Sequence, residues 1–324
     1  MSDLATQQLM LKAARLYYED NRTQEEVSQV LNVSRPTVSR LIQQAREEGI
    51  VQIKIVDPSS THSQLELQLL STFNLTDAVV INSEGDTHDL TRSRLGQAAA
   101  RYLERAVTNG GVVGMGWGRT MYEVVSALEP KRKARVTVVP LIGGLGQIAP
   151  IFQVHELARA LAEKFGGTWQ NFYVPALVES DKMAADLLRS ADMRQALALW
   201  NEMTVAIVGI GNVDLASEIQ MLFVNYLDDS TQTRLRSRKA VGDICVRFFD
   251  VNGKACTDAV RGVVGVDLKQ LRKTKRVIGV AGGAAKAVAI LGALRGRYVN
   301  VLVTDDIAAQ RVLELHTQSK ESKR

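Results

Sequence analysis

Between Thr23 and Gly49 the chain reads TQEEVSQVLNVSRPTVSRLIQQAREEG, two short runs of helically spaced apolar residues with a polar break between them. Val27, Val30 and Leu31 share one face of the first run, and Val38, Leu41, Ile42 and Ala45 form a stripe along the second. Thr23 and Glu26 have the spacing of a capping box, in which each side chain bonds the other's backbone N–H. Asn32 and Ser34 break the first helix, and Ser34 is a natural cap for the second. Pro36 falls in the second helix's first turn, where a missing N–H costs little, and Gly49 supplies the stop. The pattern predicts a helix-turn-helix. Leu9, Ala13, Leu16 and Tyr17, with Met10 and Tyr18 alongside, predict a covering helix before it. After Gly49, IVQIKIV (50–56) alternates like a short strand able to form a wing, and Asp57 to Thr61 reads as a linker. Leu65, Leu67, Leu69, Leu70 and Phe73 then mark a connecting helix.

From Ala78 the pattern changes to short apolar runs: AVVI (78–81), GVVGMGW (111–117), VTVVPLI (136–142), TVAIVGI (204–210), VIGVA (277–281) and VNVLVT (299–304). Helical stretches separate many of them: Arg92–Val107, Thr120–Leu128, Val154–Phe165, Met183–Met203 and Ala284–Leu294. Val- and Ile-rich runs interleaved with helices predict a mainly parallel sheet covered on both faces, a Rossmann-like arrangement. An antiparallel piece is expected around Ile244–Asp250 and the Asn252-Gly253 turn, and the final HTQSKESKR reads as frayed and solvated. The fold class is therefore α/β, with an N-terminal helix-turn-helix domain (1–57), a linker helix (58–74) and a larger effector domain (75–324).

A length of 324 residues agrees with two domains, and 46% hydrophobic and 23% charged residues are globular proportions. No apolar run approaches the ~20 residues of a membrane span and the start, MSDLATQQ, is not a signal peptide, so cytoplasm and no membrane partner are expected. Cys245 and Cys256 have neither CxxC spacing nor a His cluster, so no disulfide frame and no metal site are predicted. The net charge of +5 is compatible with nucleic acid without requiring it. Residues 1–58 carry eight acidic against seven basic residues, yet Ser34 to Arg46 holds Arg35, Arg40 and Arg46 with no acid.

At about 100° per residue, the inner stripe of the second helix turns Ser39, Arg40, Gln43 and Gln44 outward. Arg, Gln and Ser are residue types that read base edges and hold phosphates. A plain helical hairpin would also have a polar face, but the tight turn, paired caps and N-terminal position favour operator DNA as partner. Arg35, Thr37, Ser39, Arg40, Gln43 and Gln44 are the candidate contacts. With so little net positive charge, binding should need two or more copies of the module.

In open α/β sheets ligands sit at the carboxyl ends of strands. Gly114-Met115-Gly116-Trp117-Gly118-Arg119-Thr120 follows one strand and opens a helix, and Gly282-Gly283-Ala284-Ala285-Lys286 does the same after another. Small residues let backbone N–H groups approach an anion, and a helix start favours negative charge. Glycines also serve strand-to-helix turns with no ligand. Two such loops, one carrying Arg119 and Thr120 and the other Lys286, point to a phosphate or phosphorylated-sugar site. Neither is a Walker A loop, and neither is a GxGxxG with its partnering acid, so no cofactor is expected. Leu141 to Gly146 and Gly209 to Asn212 are further strand-end loops, and Gln153, His155 and Asp243 are polar residues able to fix sugar hydroxyls.

These stretches resemble the SorC-type family of bacterial sugar-binding transcriptional regulators over nearly the whole chain. The resemblance rests on TQEEVSQVLNVSRPTVSRLIQQAREEGIVQIKI, GWGRTMYEVVSAL, PLIGG, VGDICVRFFD and VAGGAAKAVAILGALRGRYVNVLVTDDIAAQRVL, in that order. It implies a winged-helix-like DNA-binding domain joined to an effector domain of sugar-phosphate-isomerase type. It implies tetrameric assembly, with a sugar or sugar phosphate controlling operator binding. By the same resemblance Gly118, Arg119 and Thr120 match a phosphate-cradling loop and Lys286 a C-terminal basic ligand residue; Gly116, Gly282 and Gly283 of the two glycine loops join them as candidate effector contacts. Asp243 becomes a pocket residue, Gln153 a glutamine that contacts the effector, and His155 stands where the family carries Asn. The alternative is an active isomerase or deaminase with an appended helical domain. That chemistry needs a positioned base, for which Asp243 and His155 are the candidates, and no paired-carboxylate motif accompanies them. A helix-turn-helix used only for protein contacts is a third reading.

Overall fold

A computed structural model describes residues 3–20, 22–51, 61–146, 148–213 and 228–321. The chain divides into two compact units, Met1–Pro58 and Ser59–Arg324.

In the first unit α1 (Asp3–Tyr18), α2 (Gln24–Leu31) and α3 (Arg35–Glu47) enclose a core of Met10, Ala13, Ala14, Val27, Val38, Leu41, Ile42 and Ala45. The apolar spacing had placed Val30 on the inner face, but it is 52% exposed. The buried side of α2 is instead centred between Val27 and Leu31 on the Ser28 side, where the Ser28 hydroxyl donates to the Glu25 carbonyl at 2.7 Å. That leaves Val30 rotated toward solvent. The strand expected over 50–56 falls, from residue 52 onward, outside the described residues.

The second unit is built on a parallel sheet of seven strands: β1 (Asp77–Ile81), β2 (Val112–Met115), β3 (Thr137–Pro140), β4 (Thr168–Trp169), β5 (Met203–Gly209), β9 (Arg276–Val280) and β10 (Val301–Asp305). Their spatial order is β1-β10-β9-β5-β2-β3-β4, so the direction of winding reverses between β5 and β2. The strand ends beside that reversal are where an open sheet offers a crevice. Alternate residues feed two cores. Val113, Met115, Val205, Ile207, Ile278 and Val280 pack under α5 (His88–Ala106), α6 (Arg119–Ala127) and α7 (Val154–Phe165). Val112, Ala206, Val208, Val277 and Leu302 pack on the other face with α4 (Thr61–Phe73), α9 (Ala191–Glu202), α12 (Ala287–Arg295) and α13 (Asp306–Glu321). The period of two along each strand makes both faces apolar, as a doubly covered sheet requires.

The helix expected to join the domains is α4, and it packs into the second unit through buried Leu69. The stretch read as one helix from Met183 to Met203 is two, α8 (Asp181–Leu188) and α9, because the chain breaks at Arg189-Ser190 and α9 starts from Ser190. The antiparallel piece exists as β6 (Gly211–Asn212), β7 (Ala240–Ile244) and β8 (Arg247–Asp250); β7 and β8 turn at Cys245-Val246, both left-handed, and the Asn252-Gly253 turn follows β8, folding Ala255 back into an antiparallel bridge with Phe249. Beyond these, α10 (Asp229–Ser237) and α11 (Leu268–Lys273) are short connecting helices. β4 was not foreseen, since two residues make no apolar run. The C-terminal stretch expected to fray is helical to Glu321, held where His316 meets the Phe73 ring at 4.9 Å and Arg295 hydrogen-bonds Ser319.

Candidate functional site

The helix-turn-helix geometry follows from its caps. Thr23 Oγ1 accepts from the Glu26 N–H at 3.3 Å, while the Thr23 N–H (2.8 Å) and hydroxyl (2.9 Å) donate to the Glu26 carboxylate and hold it below its usual range. Asn32 takes the left-handed conformation (φ 53°) that ends α2, and the Val33 N–H donates to the Ser28 carbonyl at 3.1 Å to close the turn. Ser34 caps α3. With Val38, Leu41, Ile42 and Ala45 buried, α3 exposes Arg35, Ser39, Arg40 and Gln43, with Gln44 half-buried beside them. The Gln43 amide donates to Glu47 at 2.9 Å, and the half-buried Thr37 shares its hydroxyl hydrogen bond with Ser34 at 2.8 Å. Arg35, Ser39 and Arg40 therefore form the most outward part of the face.

In the second unit the two glycine loops do meet. A cavity of about 210 Å³ at the strand ends is lined by Thr120 from the first loop, by Gly282, Gly283 and Lys286 from the second, and by Arg92 of α5 and Asp305 of β10 among others. Gly118 precedes α6 with φ 100°, and no side chain of the N-cap residue caps that helix beside Thr120. Arg92, largely buried, is held to Asp89 at 2.8 Å and to His88 Nδ1 at 3.0 Å. Lys286 donates from Nζ to the Ile210 carbonyl at 2.9 Å, the last residue before β6. Burial lowers the Lys286 ammonium to about 8, with the Asp243 charge opposing and the Arg92 charge assisting.

Asp243 lies on β7, 5% exposed, against Gly211, where a Cβ would come within 2.0 Å of its Oδ1. Only glycine fits there. Burial raises the Asp243 carboxyl to about 6, while the Val246 N–H (3.0 Å) and the Lys286 charge pull the other way. Beside this pair, Asn212 donates to the Ala285 carbonyl at 3.3 Å, and among the described residues its buried side-chain oxygen has no hydrogen-bond partner.

Several predicted residues take other roles. The Gly116 N–H donates to the Ile207 carbonyl at 2.9 Å, and an added Cβ would lie 3.1 Å from that oxygen, so Gly116 lets β2 cross closely over β5. Arg119 is exposed and stacks over the Phe152 ring at 5.8 Å, away from the cavity lining. Gln153 brackets Leu145 from both sides, accepting from its N–H at 3.1 Å and donating to its carbonyl, so its amide pins the Gly143-Gly144 loop instead of reaching outward. The Gly283 N–H is already engaged by the Asp305 carboxylate at 2.5 Å. His155 packs edge-on against Phe172 at 5.9 Å, and burial lowers its pKa. Arg92 and Asp305 were not foreseen. Asp305 carried a signal, as a polar residue at the end of a predicted strand, whereas Arg92 is one of many basic residues on a helix.

A sugar-binding domain family model (Sugar-bind) matches residues 57–314, and a Sigma-70 region 4 model matches residues 14–48. The chain is 34% identical to the deoxyribonucleoside regulator of Bacillus subtilis (strain 168), covering 96% of this chain and 99% of that one. It is 33% identical to the sorbitol operon regulator of Klebsiella pneumoniae, covering 94% and 98% respectively. The crystal structure of the full-length Klebsiella pneumoniae sorbitol operon regulator SorC is similar with a TM-score of 0.73 at 32% identity, over 94% of this chain and 98% of that one.

Proposed function

The chain belongs to the SorC-type family of sugar-binding transcriptional regulators, and from that premise we propose that it binds operator DNA through α3 and takes a small sugar phosphate in the cavity beneath α5 and α6. The observation that carries the phosphate reading is the convergence of Arg92, Lys286, Thr120 and the uncapped start of α6 on one cavity. Two cations that disfavour one another when the cavity lacks an anion are both relieved by a phosphate between them. About 210 Å³ is small beside the ~300–1,000 Å³ of typical ligand pockets, which favours a ligand of few carbons.

The mechanism is a population shift. The sugar phosphate binds the operator-competent and operator-incompetent forms unequally, and only that inequality changes DNA affinity. A single recognition helix reads few base pairs, so the protein acts as a homo-oligomer, a tetramer, with paired half-sites on its operator. It works in the cytoplasm, and the cavity is a receptor rather than a catalytic centre. No helix among the described residues is long and apolar enough to cross a membrane.

A thermal-shift screen of the full chain against pentose and hexose phosphates and their unphosphorylated parents tests this. At a hundredfold excess over Kd, a specific ligand contributes about 2.7 kcal/mol, or roughly 5 °C for a unit of this size. The phosphorylated compound should raise the melting temperature, shift a gel-mobility assay with promoter DNA, and be recovered unchanged. A response to neutral sugars alone would overturn the phosphate reading, and turnover of the ligand would overturn the receptor reading.

A further inference from the structure

One side chain on the outer face of α3 is already oriented before any DNA arrives. Gln43 donates from Nε2 to Glu47 Oε1 at 2.9 Å, one turn further along the helix, and both side chains are exposed. A carboxylate has no hydrogen to give, so the end of the amide facing Glu47 is its NH2 group and the carbonyl oxygen points away. Gln43 follows Arg35 and Ser39 at four-residue spacing, so it continues their outward row. Glu47 gains little from its own place on the helix. It is the last residue of α3, where a negative charge opposes the helix dipole, and Glu48 follows it. Its hydrogen bond goes to the Gln43 amide.

We infer that Gln43 selects adenine in the operator and that Glu47 is the positioning residue that makes this choice one-way. With one N–H given to Glu47, the amide keeps its second N–H and its carbonyl oxygen for the DNA. In the major groove adenine presents its N6 donor beside its N7 acceptor, the complement of that pair. Guanine presents two acceptors, N7 and O6. To serve guanine the amide must turn over and donate from its NH2 group, which sets its carbonyl oxygen against the Glu47 carboxylate. Two acceptors then face each other with no proton between them, in a groove from which water is displaced. Cytosine offers a donor alone and thymine an acceptor beside a methyl group, so each meets half of the amide. The discrimination therefore comes from a penalty on the wrong base as well as a bond to the right one. A glutamine without Glu47 turns over freely and carries no such penalty.

This inference rests on α3 being the reading helix, and selection of binding sites from a random-sequence duplex pool by the full chain separates the two claims. Wild-type protein should enrich sites with adenine at one fixed position of each half-site, preferred over guanine by about 10- to 100-fold in competition gel shifts. Gln43→Ala should lose the preference at that position alone. Glu47→Gln keeps the side-chain length and an acceptor, but its own amide can also donate, so it no longer dictates which end of Gln43 faces it. It should lower the adenine-to-guanine ratio about tenfold and leave the other positions as in the wild type. Removal of a charge, or a loss of helix stability, moves the affinity for all sites together and leaves that ratio untouched. An unchanged ratio in Glu47→Gln therefore overturns the positioning role. A Gln43→Ala protein that selects the wild-type site, or a Gln43-dependent position that prefers another base, overturns the adenine contact. In either case α3 remains the reading helix if Arg40→Ala alters a position in the same selection. A wild-type protein that enriches no sequence overturns the reading of α3, and the inference with it.

Discussion

The helix pair of the first unit and the pocket of the second are assembled over different distances along the chain. In the helix pair the decisive bonds are local: Thr23 with Glu26 and Ser34 with Thr37, each three residues apart. In the pocket, Gly283 meets Asp305 across 22 residues, Lys286 meets Ile210 across 76, and Ser83 meets Asp306 across 223. A local motif can be altered one residue at a time with effects that stay local. A pocket made from strand ends joins every contributor to the sheet that brings them together. The same contrast recurs inside the pocket, where two glycine loops of similar composition differ in use. The loop before α6 leaves its helix start uncapped beside Thr120, and the loop after β9 is filled by Asp305.

The largest effect that tests this separation is on DNA. Arg40→Ala removes an exposed guanidinium from the outer face of α3 without touching the buried stripe. It should weaken operator binding by about 10- to 100-fold, the ~1–3 kcal/mol of a base contact, and by more if both half-sites of an oligomer lose it. Titration of the DNA-free variant with the effector should give the wild-type Kd. A changed effector affinity would show that the two regions are not separable, and full operator affinity would remove Arg40 from the reading face.

The next effect concerns charge in the pocket. Burial lowers the Lys286 ammonium to about 8 from its ordinary 10.5, and a bound phosphate must raise it. Binding therefore takes up a proton only above that value. Effector affinity should stay level from about pH 6 to 8 and then fall, approaching tenfold per pH unit above 8. Below about 6 it should fall again as the phosphate itself becomes a monoanion. In Lys286→Met the decline above 8 should vanish along with most of the affinity. An affinity flat from pH 7 to 9.5 in the wild type would mean that Lys286 does not meet the anion.

The separation by distance also explains what the sequence shows and what it hides. Caps, break and stripe of the helix pair lie within one window, so α2 and α3 can be read directly, and the single misplaced residue is Val30, whose face depends on how Ser28 tucks under α2. The parallel sheet is legible because each buried strand is an apolar run. β4 is hidden because Thr168 and Trp169 are exposed and only two residues long. The strand-end glycines point to the cavity, since a backbone that must pass closely or turn left-handed demands them. Gln153 and Gly283 could not be judged from sequence. Whether an amide or an N–H remains available depends on Leu145 in one case and Asp305 in the other, and no local pattern records those pairings. Arg92 was missed for the same reason, because its cavity exists only once α5 is laid over the ends of β9 and β10.

The smallest expected effect is the most local one. Thr23→Ala removes the acceptor for the Glu26 N–H and the hydroxyl that donates to Glu26, leaving only the Thr23 N–H to that carboxylate. Loss of an N-cap costs about 1 kcal/mol, and α2 is eight residues long, too short to dilute that loss over many turns. The variant should therefore lower the melting transition of the first unit by a few degrees and weaken operator binding only modestly. The effector-stabilised transition of the second unit should not move. Far-ultraviolet circular dichroism melts with and without the sugar phosphate resolve the two transitions, and a matching shift in both would mean that the first unit's stability is not set by its own caps and stripe.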